Sequence, residues 1–484
     1  MERIQVLYQS GINQNGAEYI LKWMLSFTQP GYALDTYQPG QIIAASLLVI
    51  SYGIDLPVVD GCPHLHIAAA SFFFPQSYLC PDLHAGEPIW YENLPLAFPS
   101  QSAIPAPGFS EDAQKLVVPD VLASAFFILS RYEEFVHEGP LDSRGRFTAA
   151  MSWMGRHGLL HRPLVDEYQL ALQKWIKQVA PCLTFRQPNW QGKSFAVAIT
   201  HDVDSLNQAA HPSLISLARS IKHGEFVQGL KKLTTGVAVH YFNQFDPHNN
   251  LQSFIEWERK HGLRSSIYFL SSHVAGDANY RLDDVFKRSS FLREAQQEGW
   301  EFGFHPGVHT SRAENVFEQE YLKALACLGN IKGGRQHTLR FAVPETWRFW
   351  EKAGMLYDST LGFADHEGFR CGTCRPFRPF DLVEEREINL WEAPLIVMDN
   401  TFTKYRALDV NQARFIMEQL LMAVKRHRGL FVLLWHNTFF GHENAGQFHD
   451  LFAEFLQNAL EAGAQLGPLS DILSGWTMQR DLQE

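Results

Sequence analysis

Phe195-Ala196-Val197-Ala198-Ile199-Thr200-His201-Asp202-Val203-Asp204 decides the fold: an apolar run that stops on two carboxylates. Such a run, with no polar alternation, describes a strand buried on both faces. The same texture repeats outward from it, in Ser266 to Leu270, Trp300 to Phe304, Leu339 to Val343, Met355 to Asp358, Ile388 to Met398 and Phe431 to Trp435. Helix-like stretches precede several of these runs and end in Gly299, Gly354 and Gly429. This alternation predicts a parallel sheet, open or closed into a barrel, with chemistry at the C-terminal strand ends. Reactive residues do follow the runs: Asp202 and Asp204 after the first, His305 to His309 after Phe304, Asp358-Ser359-Thr360, and His436-Asn437 after Trp435.

His305 and His309 are four apart, and on a helical turn both rings would face one side and could grip one ion. With 21 His in 484 residues, about one such pair is expected by chance, so position decides. His157 and His161 share the spacing but follow no strand, and read as surface or structural residues. A third ligand should be a carboxylate or another His, and Asp202 and Asp204 are the candidates, one holding the ion and the other free as a base. Two His and one carboxylate leave positions open for water and substrate. His201 should point to the opposite face of its strand and is read as structural.

A chain of 484 residues exceeds one ordinary core, so two domains are expected. The polar stretch Arg186 to Lys193 is the linker candidate, dividing residues 1–186 from 194–484. No catalytic constellation stands out in 1–186. Hydrophobic residues at 46% and charged residues at 19% fit a soluble globular enzyme. A net charge of −11 argues against unspecific binding to nucleic acid or anionic membrane. The longest apolar run, Ile42 to Ile50, is far short of a transmembrane segment. Val121 to Leu129 reads as a buried amphipathic helix with Asp120 as N-cap. No signal-peptide pattern opens the sequence, and six cysteines in this length are no disulfide scaffold, so a reducing cytoplasm is expected. Cys371 and Cys374 form a lone CxxC, read as incidental thiols rather than a redox pair or zinc clip.

From about Phe195 to about Leu473 the chain resembles the polysaccharide deacetylase family (carbohydrate esterase family four, the NodB-type fold), whose five short motifs find counterparts in order. The paired acids are Asp202 and Asp204, with Val203 inserted between them. The His-x-x-x-His motif is His305 and His309. The Arg-containing strand end is best matched by Gly334-Arg335-Gln336-His337, with Arg340 as rival. The last two are Tyr357-Asp358-Ser359-Thr360 and Leu434-Trp435-His436. The resemblance implies an α/β fold, a distorted (β/α) barrel of about seven parallel strands, preceded by a smaller mixed α/β domain. That N-terminal part resembles a domain of no established role that accompanies such catalytic domains in some bacterial proteins.

The implied activity is metal-dependent hydrolysis of an N-acetyl or related acyl group on a glycan or glycan precursor. Asp204, His305 and His309 would hold a divalent ion, zinc by default. Asp202 would be the base, aimed by Arg335, and His436 the acid, hydrogen-bonded by Asp358. His337 and Trp391 are candidates to line the substrate cleft. The loop bearing Phe363, Phe369, Phe377, Phe380, Arg370, Arg375 and Arg378 either contacts substrate, through an anionic group in it, or is a structural loop. Two other readings stay open: a related C–N hydrolase acting on a formamide or ureide, and a carbohydrate-binding scaffold that lost turnover. Metal content together with acetate release would separate them. No role follows for the insert from Asn207 to Asn249.

Overall fold

The computed structural model describes the chain except residues 1–3, 30, 40, 42, 44–45, 57–61, 81–84, 100–114, 207–249, 273, 275–276, 441–445 and 482–484. The 207–249 insert therefore lies outside the described residues.

Phe195–Val203 is a nine-residue strand, buried at every position, and it sits inside the larger sheet. The order across that sheet is Trp391–Glu392, Tyr357–Asp358, Gly333–Gly334, Glu301–His305, Ser266–Leu270, Phe195–Val203, Leu430–Leu434 and Leu395–Met398. Every pairing is parallel, and Ala464–Gly467 adds to the start of Phe195–Val203. The two edge strands are consecutive in sequence, joined by Ala393 and Pro394, so the sheet curls until its edges are neighbours. The result is a curled, barrel-like parallel sheet of eight strands along its main path.

Two strand expectations need correcting. Leu339 to Val343 forms no strand; His337–Leu339 is a short 3-10 turn, with Thr338 and Leu339 at positive φ, and the strand lies earlier, at Gly333–Gly334. A glycine pair carries no apolar signal, yet only glycine fits there: a Cβ on Gly334 would lie 1.8 Å from the Phe304 carbonyl oxygen. Ile388 to Met398 is not one strand but two, divided by the Ala393-Pro394 corner. Gly299 and Gly354 end helices at positive φ, as helix-stop glycines do. Gly429 is needed instead for close approach, since a Cβ there would lie 2.2 Å from Cys374 Sγ.

The first part of the chain carries its own five-stranded parallel sheet, ordered Tyr32–Thr36, Ile4–Tyr8, Leu48–Tyr52, His64–Ala68 and Lys115–Pro119. The helix Val121–Leu129 follows the last of these strands, packs against the helices Gln14–Leu25 and Leu164–Val179, and is buried all round rather than amphipathic. Its N-cap is Asp120, whose Oδ1 accepts from Ala123 N at 2.9 Å while Oδ2 accepts from Tyr52 Oη and Ala70 N.

The two sheets share one apolar cluster, which runs from Ile4 to Leu390. Polar contacts reinforce the junction. Glu134 accepts from Arg131 and Arg370, Asp166 accepts from Thr373 Oγ1 and Cys374 N, and Arg375 donates to Gln169 and the His427 carbonyl. Arg370 and Arg375 are thereby consumed in holding the halves together, and Arg378 lies over the Trp391 ring. The aromatic and basic loop is structural. Cys371 and Cys374 are free, buried thiols within this junction, and burial pushes both well above the usual thiol range.

Candidate metal centre and its flanking acid and base

Three strand ends converge on Asp204. His305 closes Glu301–His305, Asp202 and Asp204 close Phe195–Val203, and His436 follows Leu430–Leu434. His305 Nε2 lies 3.3 Å from Asp204 Oδ1 and 3.8 Å from Asp202 Oδ2. His337 Nε2 lies 3.8 Å from the same Asp204 oxygen. Asp204, His305 and His337 form a group whose ligand atoms all lie within 4.8 Å of one another.

Each imidazole is oriented from behind. His305 Nδ1 donates to the Arg335 carbonyl at 2.6 Å, and His337 Nδ1 donates to Asp277 Oδ1 at 2.9 Å. Such bonds fix the tautomer that turns Nε2 toward the site, the arrangement found behind metal-bound histidines. Asp204 Oδ1 and His305 Nε2 are both buried and have no hydrogen-bond partner among the described residues. Buried polar atoms are almost always paired, so two orphans facing one another across 3.3 Å suit a shared cation. A hard carboxylate and two imidazoles are a fitting donor set for zinc or a similar divalent ion.

The electrostatics agree. Burial works against ionisation of Asp204, but His337, His305 and His436 outweigh it and hold the carboxyl far below its usual range. On one flank, Asp202 Oδ1 accepts from Arg335 Nη1 at 2.9 Å. Arg335 is fully buried, and its other donors go to Thr200 Oγ1, the Ser359 carbonyl and Ser359 Oγ, so the guanidinium is locked in place. On the other flank, His436 Nδ1 donates to Asp399 Oδ1 at 2.7 Å, and His436 Nε2 lies 3.7 Å from Asp204 Oδ2. Burial would lower the His436 pKa, but Asp399 foremost, with Asp204 and Asp202, raises it to about 9.

Three residues stand elsewhere than the sequence suggests. His309 is exposed and outside the group: Pro306 and Gly307 follow the strand, so the segment is a turn and the helical four-residue rule has no helix to act on. His337 stands in its place, as a member of the group rather than as cleft lining alone. Asp358 does not touch His436; it accepts from Thr360 Oγ1 at 2.5 Å beside Glu392, and burial pushes both carboxyls up. Asp399, at the end of Leu395–Met398, partners His436 instead. Trp391 is buried and lies outside the residues lining the cleft. His201 is structural, with Nδ1 donating to the Trp435 carbonyl and Nε2 against Glu258. Arg340, the rival of Arg335, donates to the Val308 carbonyl. His337 was recoverable from the strand-end rule, being three residues after Gly334, and Asp399 likewise; Asp277 lies in a loop without any such signal.

A second titratable cluster joins His161, His366 and Glu367. There the Glu367 oxygen that faces His161 also accepts from Arg406, which makes the cluster an ion-pair network.

A family described as of unknown function, DUF7033, matches residues 6–181. Among solved structures, a candidate polysaccharide deacetylase from Mycobacterium smegmatis overlaps with a TM-score of 0.40 at 16% identity, covering 61% of this chain and 94% of that one. A mutant of a CE4-family pseudoenzyme with restored enzymatic activity overlaps with a TM-score of 0.25 at 11% identity, covering 63% and 84%. Both overlaps are loose, and neither identifies an activity. None of the curated proteins compared matches the chain. No described helix is long and apolar enough to cross a membrane.

Proposed function

We propose that the chain is a metal-dependent hydrolase that removes an acetyl or related acyl group from an N-acylated sugar, with residues 194–484 as the catalytic unit and 1–186 as an accessory unit. The observation that carries this reading is the pair of orphaned ligand atoms on Asp204 and His305, flanked by a carboxylate locked by Arg335 and an imidazole backed by Asp399.

Asp204, His305 and His337 would hold the ion, zinc by default. Bound there, a divalent ion acidifies water and polarises an amide carbonyl. Asp202 would take the proton from the attacking water, aimed by its hydrogen bond from Arg335 Nη1. His436, cationic at neutral pH because Asp399 faces it, gives its proton to the departing amine. Asp277 and the Arg335 carbonyl orient the two imidazoles.

Metal analysis of the full chain with acetate release from N-acetylated oligosaccharides tests the proposal. Asp202→Asn should keep the ion and lose turnover by at least about a hundredfold, the usual share of a general base. Full activity in that variant refutes the assignment.

A further inference from the structure

The N-terminal part reaches into the cleft. Arg144 and Arg146 line it together with Asp204, His337, His436 and Lys404. They sit on a turn that Asp142 ties down, its Oδ1 accepting from Arg144 N at 2.9 Å and Arg146 N at 2.8 Å, with Gly145 at positive φ. A Cβ on Gly145 would lie 3.0 Å from Arg340 Nη2, so the turn is pressed against the catalytic half.

The buried Arg146 is spoken for. It pairs with Asp142 at 2.7 Å, and its Nη1 donates to Tyr405 Oη and to the carbonyl of Thr338, the residue after His337. It therefore clamps the turn that carries a proposed metal ligand. Arg144 and Lys404 differ: both are exposed, and neither has a carboxylate partner among the described residues. Two uncompensated cations facing one cleft, in a chain of net charge −11, go against the overall field. Cations without a carboxylate partner, set in a cleft that Asp202 and Asp204 also line, favour an anionic group beside them.

We propose that Arg144 and Lys404 form an anion subsite, so that the substrate is an N-acylated sugar bearing a phosphate or carboxylate. The N-terminal part thus supplies substrate selectivity across the cleft from the catalytic residues. This rests on reading the cleft as an amide-hydrolase site.

The test is calorimetric titration of the zinc-loaded full chain with N-acetylglucosamine, N-acetylglucosamine 1-phosphate and N-acetylmuramic acid, with acetate release followed in parallel. At least one anionic sugar should bind about tenfold or more tighter than the neutral one, the scale of one charge-assisted hydrogen bond. Whichever is preferred tells phosphate from carboxylate. In the Arg144→Ala, Lys404→Ala double variant the preference should vanish, and in Arg144→Lys it should largely persist. Equal affinity for all three sugars overturns the proposal, as does a preference that survives the double variant, which would place the anion on the metal. A charge-dependent preference without acetate release from any sugar leaves the subsite standing and refutes the hydrolase reading alone.

Discussion

Replacing His337 by alanine should cost the chain about a hundredfold in zinc affinity, whereas replacing His309 should cost nothing measurable. The contrast follows from placement. His337 is buried and its Nε2 faces Asp204 Oδ1 at 3.8 Å; His309 is exposed on the turn after Pro306-Gly307. Zinc held by four protein ligands is worth about 10–16 kcal/mol, so one ligand carries about 3 kcal/mol, or about two decades in Kd. Asp277→Asn, which keeps the shape but weakens the acceptor behind His337, should cost about 10–100-fold, the range for such supporting residues. The assay is competition against a chromophoric chelator at fixed pH, with thermal melts of each apo-variant to separate lost ligation from lost folding. If His309→Ala releases the ion and His337→Ala retains it, the ligand set argued from the turn geometry is wrong.

Other outcomes follow from particular contacts. Gly334→Ala should be strongly destabilising, because its Cβ would fall 1.8 Å from a backbone oxygen that no rotamer change can move; a chemical-denaturation midpoint equal to the parent would contradict the strand placement. Arg131→Met removes one of the two guanidinium partners of buried Glu134, which keeps Arg370, and should cost about 1–3 kcal/mol, the scale of a lost charge-assisted hydrogen bond; urea titration reads it. Glu367 has its carboxyl lowered to about 2: burial opposes this, but His161, Arg406 and His366 prevail. A depressed folded pKa means stability that is present above the ordinary value of 4.5 and lost as pH falls toward 2. Over that window the parent should lose up to about 3 kcal/mol more than Glu367→Gln, and parallel losses in urea melts at each pH would refute the assignment.

The larger parallel sheet was legible because a strand buried on both faces announces itself as an unbroken apolar run, and reactive side chains gather where such runs end. Asp202, Asp204, His305 and His436 follow from that rule alone, and the Asp120 cap from local hydrogen-bonding logic. The failures have separate causes. Gly333–Gly334 has no side chains to show a strand, because the neighbouring backbone occupies their space. His309 satisfied a spacing rule that presumes a helix, and Pro306-Gly307 made a turn.

Sequence by itself determined which residue types stand at strand ends, since burial on both faces dictates composition along each strand. Tertiary structure decided the partners: His337 over His309, Asp399 over Asp358, Asp277 behind His337, and Arg146 reaching across from the other half. Those choices depend on how strands and loops far apart in the chain meet in space, and no local periodicity encodes a distance between them.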